Sequence, residues 1–194
     1  EDALLWEQSE RGVAYRNLWI SIPALFLAFV VWMVWSVTVV NLPTIGFQFT
    51  TSQLFWLTAI PGLSGATLRI FYSFMVPIFG GRNWTALSTA SLLIPMFGIA
   101  WFVQDVSTPY WVFALLALLA GLGGGNFASS MANINFFFPK GSKGIALGLN
   151  AGIGNLGVSA VQFIVPLVIG SSLFGSMGGA SMTSTTAKGV REIW

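Results

Sequence analysis

The sequence predicts an all-α, polytopic membrane protein with about five transmembrane helices. Three observations carry this. Hydrophobic residues make up 55% of the 194-residue chain and charged residues only 7%, whereas a soluble domain carries roughly 25% charge. Five apolar stretches occur in order at 17–42, 53–79, 84–103, 110–137 and 145–170, each close to or above the roughly 20 residues a helix needs to cross a bilayer. No series of about ten-residue alternating segments, the signature of a membrane β-barrel, is present.

Residues 1–16 form a charged, partly amphipathic lead with Trp6, Arg11 and Arg16, expected at the membrane interface. Positive charge sets orientation. Arg11, Arg16, Arg82, Lys140 and Lys143 precede span one or lie between spans two and three and spans four and five. The opposite side holds Asp105 and the uncharged stretch 43–52. This alternation puts the N-terminus in the cytoplasm. Residues 171–194 then form an external Gly/Ser/Thr-rich loop, and Lys188, Arg191 and Trp194 are expected to lead to a sixth span outside this sequence. Five spans and an abrupt end read as a piece of a longer chain. No signal peptide of the usual form is visible, so span one serves as the insertion signal.

The chain contains no Cys and no His. Disulfide, thiol and imidazole chemistry are therefore unavailable. No cofactor motif, metal set or nucleophile–base pair appears, so the chain does not read as an enzyme. No basic cluster of nucleic-acid type exists. Pro43, Pro61, Pro77, Pro95 and Pro166 lie in or beside spans, where each permits a kink.

Arg69 is the feature that points to function. It lies in span two, in the apolar run 54–79, which holds no other charge. At about 1.5 Å of rise per residue it sits roughly 15 Å from the turn at Gly80–Arg82. A guanidinium at that depth costs several kcal/mol unless it is paired, and such residues face a water-filled path or a ligand. An internal ion pair needs a carboxylate, and no span contains one. Gly62, Gly65, Ala66, Tyr72 and Ser73 share its side of the helix at helical spacing, while Leu57, Leu63, Phe71 and Phe74 are expected opposite. The arrangement implies passage of an anion.

Spans four and five carry the other candidates. Span four contains Gly121-Leu-Gly-Gly-Gly-Asn-Phe-Ala-Ser-Ser130. Its glycines, Gly123 among them, permit close helix packing. Asn126, Ser130 and Asn133 are expected on one face, and their amides need partners away from water. Span five runs from Gly144 through Asn150 and Asn155. Gly148, Gly152, Asn155, Ser159 and Gln162 fall on one stripe, with Asn150 about 140° away. A stripe this smooth suits the close approach of another helix or a small solute. It is not a phosphate-binding loop, because no Gly-Lys-Ser/Thr ending follows and the run lies within a span.

The run Asn126-Phe-Ala-Ser-Ser-Met-Ala-Asn-Ile-Asn-Phe-Phe-Phe-Pro-Lys140, with Gly144 to Gly157 after it, resembles the signature of the nitrate/nitrite porter family of the major facilitator superfamily. Ser64-Gly-Ala-Thr-Leu-Arg69-Ile-Phe-Tyr-Ser-Phe and Phe79-Gly-Gly-Arg82-Asn-Trp are similar to the family's second helix and following turn. The resemblance covers residues 6–168 and is strongest to the bacterial nitrate/nitrite antiporters. It implies the N-terminal helical half of a twelve-helix transporter in a bacterial cytoplasmic membrane. One anion site would lie between two six-helix halves, with one Arg from each. The resemblance makes Arg69 the first-half arginine, Phe127 an aromatic packed on the anion, and Asn155 a nearby amide. Gly152 and Gly154 are expected beside the anion. Gly148, Gly157, Gly123, Asn126 and Ser159 are expected to form the groove and its packing. A missing C-terminal half would complete the site. Superfamily members often carry Asp in the turn after helix two, but Gly80-Gly-Arg-Asn83 has none, a departure that puts the usual gating salt bridge in doubt.

Physical chemistry is compatible with nitrate. It is small, planar and monovalent, and a guanidinium offers a planar fork of donors. Nitrate/nitrite exchange by alternating access is the expected mechanism. Proton-coupled symport and transport of another small monovalent anion are the alternatives. No intramembrane His, Asp or Glu is present to carry a proton, which favours exchange.

Overall fold

The computed structural model describes residues 6, 10–171, 181–186 and 189–193, the backbone alone being described from residue 184 onward. It is built from helices: α1 (Arg11–Asn41), a 3-10 turn (Leu42–Ile45), α2 (Thr51–Phe79), α3 (Gly81–Ser91), α4 (Leu93–Phe102), α5 (Tyr110–Ala120), α6 (Leu122–Phe137) and α7 (Lys140–Gly170). Five of the resulting segments, 11–45, 51–79, 81–102, 110–137 and 140–170, are long and apolar enough to cross a membrane. The expected spans thus stand, with two shifts. α1 begins at Arg11 rather than near residue 17, and α7 at Lys140 rather than 145. Each extension carries basic side chains, whose long apolar stems let a helix continue into the interface.

Local chemistry explains the boundaries. Gly46 and Gly80 have φ of 111° and 79°, a backbone state glycine adopts at little steric cost, and each closes a helical segment. Thr50 accepts from the Gln53 backbone while Gln53 accepts from Thr50 N, a capping box that starts α2. Pro95 cannot donate to Ser91, so span three breaks into α3 and α4 at Leu92. Span four breaks at Gly121. Pro61 likewise leaves the Leu57 carbonyl without its helical donor. Trp35 Nε1–H fills that place at 2.7 Å, fully inside the protein. Leu57 is therefore buried, not on the outward side of α2 as its sequence position implied. The buried side is Leu57, Pro61, Gly65, Tyr72 and Val76, at intervals of four or seven residues.

Packing is dominated by two pairs. α1 lies along α7, and α2 lies along α6, with α1 also crossing α6. Spans one and two thus stand to five and four as an inverted repeat would place them, although no repeat is visible in the sequence. Glycines set both contacts. A Cβ on Gly124 would come within 3.0 Å of Gly65 Cα, and one on Gly157 would fall on the Phe26 carbonyl oxygen. One core gathers Trp35, Val39, Leu42, Phe47, Leu57, Phe113 and Leu116. A second joins Leu18, Ile22, Ile134, Phe138 and Ala146 at the opposite end of α1. In the stretch whose composition reads as a loop, β1 (Met182–Thr186) and β2 (Gly189–Ile193) pair antiparallel, Met182 opposite Ile193, and Met182 packs on the first core.

Candidate functional site

The backbone contact between α2 and span four decides where Arg69 goes. A Cβ on Gly65 would lie 3.2 Å from both the Gly121 oxygen and Gly124 Cα. Ser64 Oγ donates to the Leu118 carbonyl at 3.1 Å beside the break in span four. One turn further along α2, Arg69 Nε–H donates to the Gly124 carbonyl at 3.0 Å. The guanidinium carbon then sits 5.2 Å from the centre of the Phe127 ring and 5.8 Å from that of Trp32. Both distances fall within the range of cation–π attraction, worth about 2 kcal/mol when water is excluded. Among the described residues only the Nε–H has a hydrogen-bond acceptor. The two terminal nitrogens remain available, four N–H groups in a planar fork.

Trp32 was not anticipated. It stands in an apolar, Trp-rich run of α1, and nothing in its neighbours marks it. Its ring also lies against the glycines of α6: a Cβ on Gly124 would be 3.5 Å from Trp32 Cε2. Phe127 packs edge-on against Phe29 at 6.0 Å. Phe29 in turn abuts Gly157 of α7. Arg69, Phe127, Phe29 and Gly157 thus form one chain of contacts across four spans.

The α7 residues divide into two sets. Gly148, Gly152, Asn155, Ser159 and Gln162 are all exposed, and a Cβ on Gly148 or Gly152 would meet nothing within 4 Å. This stripe is an open face. Asn155 Nδ2 donates to the Ala151 carbonyl of its own helix at 2.8 Å, and no hydrogen bond joins it to Arg69. Gly154, expected beside the anion, instead turns inward against Leu25, where a Cβ would lie 2.8 Å from its side chain. It packs α7 on α1, beside Gly157. Gly123 likewise packs on α1, a Cβ there meeting the Ala28 carbonyl oxygen.

The span-four amides do not line a common groove. Asn126 is buried and donates to the Ser88 carbonyl at 3.4 Å. Asn133 donates to Asn17 Oδ1 at 3.2 Å. Ser130 accepts from Asn150 Nδ2 at 2.9 Å. They reach spans three, one and five respectively, because polar atoms in an apolar bundle turn to the nearest acceptor or donor. Asn133 Oδ1 also occupies the space beside Gly81 that a Cβ would need. The carboxylate-free turn after α2 thus packs against Asn133 of span four, which bonds to Asn17 of span one. Outside the membrane, Asp105 accepts from the Ser107 hydroxyl at 2.7 Å and backbone at 2.9 Å. These bonds, the hydroxyl first, hold its carboxyl below the usual range.

Comparison with known proteins now bears on this arrangement. The chain is 58% identical over 178 residues to the nitrate/nitrite transporter NarU of Salmonella typhimurium, and 56% identical over 178 residues to that of Escherichia coli. It is 51% identical over 195 residues to the probable nitrate/nitrite antiporter NarK2 of Thermus thermophilus. Over its length the chain is thus homologous to part of these nitrate/nitrite transporters and antiporters. These matches take in 92–100% of the chain but only 38–43% of the relatives' length. No family model matches the chain. Five segments able to cross a membrane and relatives that are bacterial transporters make it a multi-pass bacterial membrane protein, and Arg69, Trp32 and Phe127 lie in its spans two, one and four.

Proposed function

We propose that this chain forms part of a nitrate/nitrite transporter in which Arg69 binds the anion near the bilayer midplane. The observation that carries the reading is the state of Arg69. It is held by Gly124, Trp32 and Phe127, no span offers it a carboxylate, and its terminal nitrogens have no acceptor among the described residues. The relatives' names, nitrate/nitrite transporter and probable nitrate/nitrite antiporter, supply the anion. The lipid bilayer surrounds the bundle. A second helical half, of the kind the longer relatives have length for, closes over the exposed Gly148–Gly152–Asn155–Ser159 stripe and completes the site. The membrane is the bacterial cytoplasmic one, with the N-terminus inside, because the basic residues alternate by loop.

The cycle follows from the charge. Loaded with a monovalent anion, the Arg69 site is close to neutral and crosses the barrier region as the halves rock. Unloaded, it presents a bare cation to an apolar surround, and reorientation is slow. Return then requires another anion, which is exchange. Phe127 and Trp32 bound the space around the guanidinium and so limit the size of the anion.

The test is nitrate uptake by the full-length protein in liposomes with and without internal nitrite. Uptake should require internal anion. Uptake into anion-free vesicles driven by a pH gradient would sink obligatory exchange. Arg69→Lys keeps the charge and loses the fork. A lost charge-assisted hydrogen bond is worth about 1.5–3 kcal/mol, so uptake should fall by roughly 10- to 100-fold. Unchanged uptake would remove Arg69 from the site.

A further inference from the structure

A second polar cluster lies between α1, α3 and α6, apart from the Arg69 fork. Ala24 and Leu25 of α1, Thr85, Ser88 and Thr89 of α3, and Asn126, Ser129 and Ser130 of α6 surround a small cavity. Asn126 is 5% exposed. Its Nδ2 donates to the Ser88 carbonyl at 3.4 Å, but its Oδ1 is buried with no donor. An orphaned carbonyl in a membrane interior is costly. Turning the amide over does not help, because Oδ1 would then face the Ser88 oxygen, acceptor against acceptor. Two of the nearby hydroxyls already donate elsewhere, and a third is an acceptor. Ser88 Oγ donates to the Thr85 carbonyl at 3.4 Å, and Ser129 Oγ to the Asn126 carbonyl at 3.2 Å. Ser130 Oγ accepts from Asn150 Nδ2 at 2.9 Å.

The cavity volume is about 10 Å³, close to the smallest room that holds one water molecule. We propose that it is a binding site for a single ordered water, which donates to Asn126 Oδ1 and bonds to the hydroxyls of α3 and α6. A water there supplies the donor that Asn126 lacks, and its wall of Ser and Thr hydroxyls supplies the two to four partners a buried water needs. A metal cation does not suit the site, since no carboxylate lines it and the charge would be uncompensated in the bilayer. The water completes a polar seam: Ser88 to Asn126, through the water to Ser130, then to Asn150. This seam joins spans three, four and five across the bundle. It also fixes the rotation of α6 about its axis, and the next residue is Phe127, whose ring lies on Arg69. The site stands on packing alone, whatever the transported anion.

A density map of the full-length protein at a resolution that shows ordered water tests it. The expected result is one peak at hydrogen-bonding distance from Asn126 Oδ1 and from at least one hydroxyl of the cluster. An empty cavity, a direct bond from a hydroxyl to Asn126 Oδ1, or a peak with the shorter, more numerous contacts of a cation would overturn it.

Discussion

Arg69 carries its own positioning problem. A side chain with four rotatable bonds and a charge must be held in one place inside a bilayer, and no carboxylate is there to hold it. The protein uses one carbonyl and two aromatic faces. These leave the charge uncancelled, the property on which the proposed anion site rests. Removing one face should therefore weaken anion binding without unfolding the bundle. Cation–π contacts reach about 2 kcal/mol in desolvated sites, so Trp32→Leu should raise the KM for nitrate by up to about 30-fold, while Trp32→Phe keeps an aromatic face and recovers most of the loss. Equal KM values for the two variants would mean that Trp32 only fills space. The sequence drew attention to Arg69 by its depth in an apolar run and to Phe127 by the family signature, and the fold brings the two together. It drew none to Trp32. An apolar residue on an apolar helix gives no local signal, and its role comes from a residue 37 positions away that meets it only in space.

Glycines in these helices do two different jobs, and the helix faces separate them. Gly124 is pressed against Gly65 and Trp32, Gly154 against Leu25, and Gly157 against the Phe26 carbonyl. Gly124→Ala should push α2 away from α6 and destabilise the protein by about 1–3 kcal/mol, the usual cost of overpacking, measured as a lower melting temperature of full-length protein. Gly148 and Gly152 have open space beside them. Gly152→Ala should leave stability unaltered or gain up to about 1 kcal/mol from helix propensity, yet slow transport if another helix or the anion must come close. A stable and fully active Gly152→Ala protein would remove that stripe from the site. The Trp35–Leu57 bond has a similar test. Trp35→Phe leaves the carbonyl freed by Pro61 without a donor and should cost about 1–3 kcal/mol. In the outer turn, Asp105 has its carboxyl lowered by Ser107. A lowered carboxyl stabilises the fold above the ordinary value of about 3.9, and that contribution is lost as pH falls through the folded value. The turn should hold from pH 8 down to about pH 4 and loosen only in stronger acid. Asp105→Asn should abolish that acid step in a melting series.

For the molecule, the pairing of span one with five and span two with four creates two unlike surfaces. The inward one is glycine and aromatic packing. The outward one on α7 carries an exposed stripe of small and polar residues, the face proposed above to meet a second helical half. The chain has no His, and none of its spans carries Asp or Glu. Nitrate affinity governed by this part of the protein should therefore not change between pH 6 and pH 8. A steep change in that window would place a proton-carrying group elsewhere and favour symport over exchange.

Composition and run length were enough to specify five membrane-crossing helices. Each such helix satisfies its own backbone in a bilayer, so its existence depends on local sequence alone. The depth of Arg69 and the glycine-rich α7 stripe were legible for the same reason, since helical spacing converts position directly into a face. Which face meets which neighbour was not. The sequence placed Gly154 with Gly152, and the bundle buried it against Leu25. It placed Leu57 outward, and the donor requirement left by Pro61 drew it onto Trp35. It grouped Asn126, Ser130 and Asn133, and the fold sent them to three different helices. Each of these outcomes rests on an atom from another span supplying a hydrogen bond or a van der Waals surface, and the identity of that atom is a property of packing in three dimensions.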